Sequence, residues 1–421
     1  MQNELSLPDT LLIRPLTVPV HAEISIPGSK SLTNRALILA ALSKGKTKLQ
    51  VALWAEDTEL MVNALQNLGF DIKVEFDPSN ICNRFIIVKG RGGEIPARKA
   101  NLDVGNAGTV ARFLTAFCAL GKGHYKIHGI ARMHQRPMKD LFDAIRSLGG
   151  KVEDTNGHLP ATISGPIHGG KVSVSDSDSS QFASAMLLIS KVAGITVKYP
   201  SSSYVEMTQH FLKKWKPSAK KQSIEPDASS ASYFIALQHL HHGSLKIEHW
   251  PKVSYQMDHR FSKFLPPPQS VSREKDLGDS ILTLVVTAAA LKRHFSLTQA
   301  SKLRNQECDR ISALTTELRK CGVPVEEFED GLTLKPASEF KKTTICTYHD
   351  HRIAMSFAIL GTMDVMKNGQ PWITIENPSC VSKTFPNFFE TLEEVAKQSY
   401  QKARKDYLPV VLKTNGKPVF E

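Results

Sequence analysis

The chain has 421 residues, of which 41% are hydrophobic, 22% charged and 7% aromatic. Such a composition belongs to a folded protein of two or more domains and excludes disordered, collagen-like and small disulfide-stapled classes. Fifty-three Lys and Arg against 41 Asp and Glu give a formal net charge of +12, which calls for anionic partners.

At the N-terminus, Met1-Gln2-Asn3-Glu4 offers no basic region ahead of an apolar stretch, so the expectation is a cytoplasmic protein. The first sharp feature is Pro27-Gly-Ser-Lys-Ser31, a Gly/Ser turn feeding an apolar helix that runs to Leu42, with Lys30 and Arg35 about one turn apart. Free backbone N–H groups at a helix start, flanked by two cations, can hold a phosphate or carboxylate. The Walker pattern G-x-x-x-x-G-K-[ST] is absent. Residues 60–69 read as an amphipathic helix that ends in glycine and leads into a strand at 70–76. Residues 107–120 repeat the apolar pattern, and 141–149 repeat the amphipathic one, followed by a strand at 150–155. Helices at 179–193, 207–215, 228–240, 257–265 and 279–291 come next. A helix opens at Asp309 or Asp350, 313–322 leads into strands at 323–328 and 331–334, and 385–396 closes the series. Two kinds of helix therefore alternate, one amphipathic and leading into strands, the other apolar and opening with Ser, Thr or Asp caps. About six helix-helix-strand units make two domains of three, an α/β architecture in which polar helix starts face a cleft between domains. Thr208 and Asp227 stand 19 positions apart and Phe264 and Asp276 only 12, so these two connections are short.

Several chemistries lose support. Six cysteines never form C-x-x-C, which fits reduced thiols packed as small hydrophobes and not zinc ribbons or redox pairs. The longest apolar run, 281–291, falls short of the ~18 residues a membrane helix needs. The cluster Lys213-Lys214-Trp215-Lys216 with Lys220-Lys221 is too brief for a nucleic-acid stripe interleaved with aromatics. The histidines at 238–242 have no acid or cysteine at ligand spacing, and His351 sits between Asp350 and Arg352, where orienting its neighbours explains it better than a metal does.

The remaining motifs follow in order: Gly105-Asn-Ala-Gly-Thr109 with Arg112, Arg132-Met-His-Gln-Arg-Pro137, Asp178-Ser-Ser-Gln-Phe182, Asp227-Ala-Ser-Ser-Ala-Ser-Tyr233, Glu307-Cys-Asp-Arg310, Asp350-His-Arg352 and Lys383-Thr-Phe-Pro386. From about Leu12 to Leu392 this set resembles the 5-enolpyruvylshikimate-3-phosphate synthases of the enolpyruvyl transferase family. The resemblance implies a two-domain inverse α/β barrel of six repeats. Residues 27–224 would form one domain, residues 1–26 with 225–421 the other, and the ligand cleft would lie between them. It implies transfer of the enolpyruvyl group of phosphoenolpyruvate to the 5-hydroxyl of shikimate 3-phosphate, with release of phosphate. It also implies no metal or organic cofactor, no nucleic-acid or membrane partner, a monomer, and glyphosate as a competitor of phosphoenolpyruvate.

By the same resemblance, phosphoenolpyruvate falls to Lys30, Gly108, Arg112, Arg136, Gln181, Arg310, Arg352 and Lys383. Shikimate 3-phosphate falls to Lys30, Ser31, Arg35, Ser179, Ser180, Gln181, Ser201, Tyr204, Asp279 and Gln306. Asp279 is placed at the 5-hydroxyl, and Glu307 with Lys30 at the C3 proton. Two such substrates bring roughly five to six negative charges, and seven cations against Asp279 and Glu307 leave plus five to meet them. Three departures stand out, the first being that the short 208–227 and 264–276 spans leave little room for the strand hairpins usual in that family, so two of the six repeats are expected to be trimmed. Gln306 occupies the position where a lysine usually precedes the catalytic glutamate, and Leu277-Gly-Asp-Ser-Ile281 lacks the usual proline-rich turn, leaving Asp276 as a rival to Asp279. The alternatives are a transferase acting on UDP-N-acetylglucosamine, against which stands the lack of a cysteine near Arg132, and a non-catalytic polyanion binder, for which salt-dependent affinity is expected.

Overall fold

The computed structural model describes residues 7–175, 179–200, 202–217 and 220–420. Three helices pack on one another in the first part of the chain, Lys30–Leu42, Gly108–Cys118 and Gln181–Ala193. Another three do so in the second, Ala228–His241, Ile281–Ala290 and His351–Gly361. These are the helices with apolar residues on every side, and that is why they sit inside: Ile281–Ala290 is buried along its whole length. Amphipathic helices Glu56–Asn67, Lys139–Ser147, Ser203–Lys214, Arg310–Lys320 and Phe388–Ala403 flank them, each with one face buried.

Strand pairing repeats one pattern. Lys221–Ser223 lies parallel to Lys44–Leu53, which continues antiparallel into Asn83–Arg91 and Asp71–Phe76. Lys99–Asp103 and His124–His128 are likewise parallel and continue into His158–Ser164 and Lys151–Thr155. Ser270–Ser272 with Phe295–Thr298, and Thr343–Ile345 with Ile373–Glu376, start two further sheets of this kind. Two sheets keep only the parallel pair, Gly170–Ser173 with Ile195–Lys198 and Val20–Ile24 with Gly243–Ile247. In both, the chain after the flanking helix runs on to a three-residue strand of a neighbouring sheet, Lys221–Ser223 or Ser270–Ser272.

Two large apolar cores result, one drawn from residues 32–224 and the other from 11–26 together with 231–411. The chain crosses between them twice, side by side. Gly28 and Pro226 form an antiparallel bridge, and Asp227 N–H donates to Pro27 O at 2.9 Å. A Cβ on Gly28 would stand 1.8 Å from the Val51 carbonyl oxygen, so only glycine fits the crossing.

One predicted helix differs. Residues 257–265 form an eight-residue 3-10 helix, Met257–Phe264, which stops one residue short of the run Pro266-Pro267-Pro268, where no backbone N–H can extend a helix. Helix starts also shift: the one predicted at 60 opens at Glu56, and the one predicted at 385 opens at Phe388. Among the described residues no helix is long and apolar enough to cross a membrane.

Candidate active site

A cavity of about 310 Å³ is lined from both parts of the chain and bordered by helix starts. Lys30 opens one inner helix, Gly108 the second and Gln181 the third. From the other side come Asp279, just ahead of Ile281–Ala290, and Glu307, just ahead of Arg310–Lys320. Because unpaired N–H groups at helix starts carry partial positive charge, several of them around one volume favour anions there.

Side-chain caps account for part of this geometry. Asp227, Asp309 and Asp350 accept from the backbone N–H of Ser230, Ser312 and Arg352 at 2.8, 3.0 and 2.8 Å. Ser179 accepts from Gln181 N–H at 3.2 Å, whereas Ser180 and Ser29 make no side-chain cap bond. Asp258 holds the start of the second part's middle inner helix, accepting from Gly278 N–H at 2.6 Å, Ser280 N–H at 3.1 Å and Ser280 Oγ at 2.7 Å. This buried carboxylate fixes the turn that bears Asp279 without the proline-rich sequence.

Charged groups form two linked clusters. Asp57 pairs with Lys30 Nζ at 3.0 Å and with Lys383 Nζ at 2.7 Å, joining the two parts of the chain. Asp279 meets Arg273 at 3.2 Å, Arg352 at 3.4 Å and Arg310 at 3.5 Å. Arg310 further pairs with Asp350 at 2.8 Å and Glu307 at 3.0 Å and donates to the Gln306 side chain. Arg352 donates to Tyr233 Oη at 3.2 Å, Arg112 to Gln181 Oε1 at 2.9 Å and Arg136 to the Asn106 carbonyl at 3.0 Å. At Gly108 a Cβ would lie 2.4 Å from Arg112 Nη1 and 2.5 Å from Arg136 Nη2, so glycine leaves room for both guanidiniums.

These neighbours set protonation. Burial alone would raise the Asp279 carboxyl, but Arg310, Arg352 and Arg273 outweigh it and bring it down to about 2. Burial likewise opposes ionisation of Glu307 and Asp57. Arg310, Arg136 and Lys30 hold Glu307 well below the usual range, and Lys30 and Lys383 lower Asp57. His351 is wholly buried, neither ring nitrogen has a hydrogen-bond partner, and burial with the nearby Arg352 and Lys30 charges keeps it neutral.

Of the residues predicted to bind or react, Lys30, Ser31, Gly108, Arg112, Arg136, Ser179, Ser180, Gln181, Tyr204, Asp279, Gln306 and Glu307 line the cavity. Arg352 borders a smaller adjoining space of about 30 Å³ that shares Lys30, Ser31, Tyr204 and Asp279. Arg310 and Lys383 stand behind the wall in the pairings given above. Arg35 is also behind it, donating to Thr208 Oγ1 at 2.8 Å and the Ser31 carbonyl at 2.9 Å and lying over the Phe113 ring. Ser201 lies outside the described residues. Asp276 accepts from Ser272 N–H at 2.8 Å and closes its own turn, while Asp279 reaches the cavity. Asp57, Asp258 and Arg273 escaped the sequence reading. Asp57 looks like any acid in a helix first turn, and nothing local marks the other two. Arg273 adds a cation to the set counted from the sequence, and Asp57 and Asp350 add carboxylates.

The model of the family described as EPSP synthase (3-phosphoshikimate 1-carboxyvinyltransferase) matches residues 16–265 and 271–392. The chain is 38% identical to the 3-phosphoshikimate 1-carboxyvinyltransferase of Opitutus terrae, over 94% of this chain and 99% of that one. It is 36% identical to the protein of that name from Trichormus variabilis, over 90% and 98%. Its fold matches a solved EPSP synthase from Acinetobacter baumannii with a TM-score of 0.69 at 22% identity, covering 93% of this chain and 98% of that one. With a match across most of its length and relatives well above 30% identity, the chain belongs to the EPSP synthase family.

Proposed function

We propose that the protein is a 3-phosphoshikimate 1-carboxyvinyltransferase, moving the enolpyruvyl group of phosphoenolpyruvate to the 5-hydroxyl of shikimate 3-phosphate and releasing phosphate. The observation that carries this reading is the cavity bordered by helix starts from both parts of the chain, with Asp279 and Glu307 set among guanidiniums and ammoniums. Family membership and the names of its relatives support it and favour neither of the two alternatives.

In this reading Lys30, Arg112 and Arg136 take the charged ends of phosphoenolpyruvate at the cavity surface, with Arg310, Arg352 and Lys383 behind them. Ser31, Ser179, Ser180, Gln181, Tyr204 and Gln306 hold shikimate 3-phosphate, Arg35 steadies Ser31 from behind, and Ser201 is assigned by family likeness alone. Asp279 takes the proton of the 5-hydroxyl as that oxygen adds to C2, while Lys30 and Glu307 move the C3 proton, the ammonium as its source and the ionised carboxylate as the group able to take one back. Elimination then removes a proton from C3 as the C2–O bond to phosphate breaks. A carboxylate at about 2 is a weak base. Ligand anions that draw on Arg310 and Arg352 relieve the field on Asp279 and raise its basicity when it is needed.

We further propose that residues 27–224 and residues 1–26 with 225–421 are separate domains, for which the two apolar cores and the paired crossings speak. The two-stranded sheets are read as trimmed repeats, and the protein as a monomer. Phosphate release tests the activity. It should require both substrates together, and release with UDP-N-acetylglucosamine, or none at all, would overturn the assignment.

A further inference from the structure

Gln306 leaves the acceptor side of the cavity without the cation that a lysine there would bring, yet three other basic residues, Arg273, Lys275 and Lys302, line the same volume. Lys302 is paired with Glu274 at 2.9 Å. Arg273 is differently placed. It sits just past the short strand Ser270–Ser272, in a turn closed by Asp276 and held by Arg260, which donates to the Asp276 carbonyl at 2.7 Å. Its Nη2 meets Asp279 at 3.2 Å, its Nη1 reaches the Leu277 carbonyl at 3.4 Å, and the guanidinium lies over Tyr204 with 5.9 Å to the ring centre. Among the described residues its buried Nε has no hydrogen-bond partner. Among the described residues Arg310 divides its donors among three carboxylates and Arg273 meets one, that of Asp279, which two other guanidiniums share. A largely covered planar fork with an unmet donor, beside Tyr204 and in the volume that Ser179 and Ser180 line, is suited to a phosphate.

We infer that Arg273 is the cation that binds the phosphate of shikimate 3-phosphate in this protein, standing in for the charge that Gln306 lacks. The inference rests on the function proposed above and adds a ligand to a site that reading leaves to neutral serines. Titration calorimetry with shikimate 3-phosphate and with shikimate, for wild type, Arg273→Gln and the double variant Arg273→Gln/Gln306→Lys, tests it. Arg273→Gln should bind shikimate 3-phosphate about 10- to 100-fold more weakly, the scale of one charge-assisted hydrogen bond, while shikimate binding changes less than about threefold. The double variant should recover most of the loss, which a misfolded site would not do. Binding of shikimate 3-phosphate within about twofold of wild type, or an equal loss for both ligands, would overturn the inference. Wild-type binding without phosphate release from phosphoenolpyruvate would sink the enzymatic reading while leaving Arg273 in place as a phosphate ligand.

Discussion

Asp279 and Glu307 are two carboxylates held ionised by the same guanidinium, Arg310, yet they differ in company. Asp279 has Arg352 and Arg273 as its further partners, whereas Glu307 is influenced by Arg136 and Lys30 from the other part of the chain. That division suits one group to the acceptor hydroxyl and the other to the donor carbon. Asp279→Asn keeps the shape and removes the base. Turnover should fall about 10²- to 10⁴-fold while calorimetric affinity for shikimate 3-phosphate stays within a few-fold, and unchanged turnover would remove Asp279 from the chemistry. Gly108 offers a steric counterpart. A methyl group there cannot coexist with Arg112 Nη1 at 2.4 Å and Arg136 Nη2 at 2.5 Å, so both side-chain ends must shift. Gly108→Ala should raise the KM for phosphoenolpyruvate by up to about 100-fold, because displacements near 1 Å cost that much, and leave the KM for shikimate 3-phosphate nearly unchanged. Equal effects on both constants would show that these two arginines do not belong to the donor alone.

Elements, more than single side chains, decide what could be read in advance. The inner helices were legible because a helix apolar on every face has few places to go but inside, and their starts, legible from small and polar residues, border the cavity. After Ser203–Lys214 and Met257–Phe264 the described chain runs on to one three-residue strand each, and the short spacing there leaves room for little more, since strands need residues. What stayed hidden was set by tertiary placement. Asp57 lies 326 positions from Lys383, and Asp258 reaches Gly278 and Ser280 only because the 3-10 helix Met257–Phe264 folds back onto the turn. A hydrophobic period says nothing about such pairings. Asp258 therefore makes the informative element-scale test. Asp258→Ala leaves the Gly278 and Ser280 N–H groups without their acceptor, costing about 2–3 kcal/mol in urea unfolding, and frees the turn that aims Asp279. We expect kcat to fall further than either KM rises. A stability loss with kcat intact would make Asp258 a cap and nothing more.

At the scale of the molecule, the Lys30–Asp57–Lys383 triad and the contacts of Arg132 with the carbonyls of Arg304 and Gln306 join the two parts of the chain beside the cavity. Asp57 is buried between two ammoniums that would otherwise repel each other, and removing it strands both. Asp57→Asn should lower stability by about 3–5 kcal/mol at neutral pH, the usual cost of breaking a buried pair from one side. The sign of its pH dependence follows from the lowered carboxyl. A group more acidic in the folded state stabilises fully above its unfolded value of 3.8, and the benefit drains away as the pH falls toward the folded value. The wild-type advantage over Asp57→Asn should therefore be flat from pH 7 to about 5 and shrink as the pH falls below 3.8. Urea unfolding of both proteins across that range measures the gap directly, and a gap that widened in acid would mean that Asp57 is not the carboxylate holding the two lysines together.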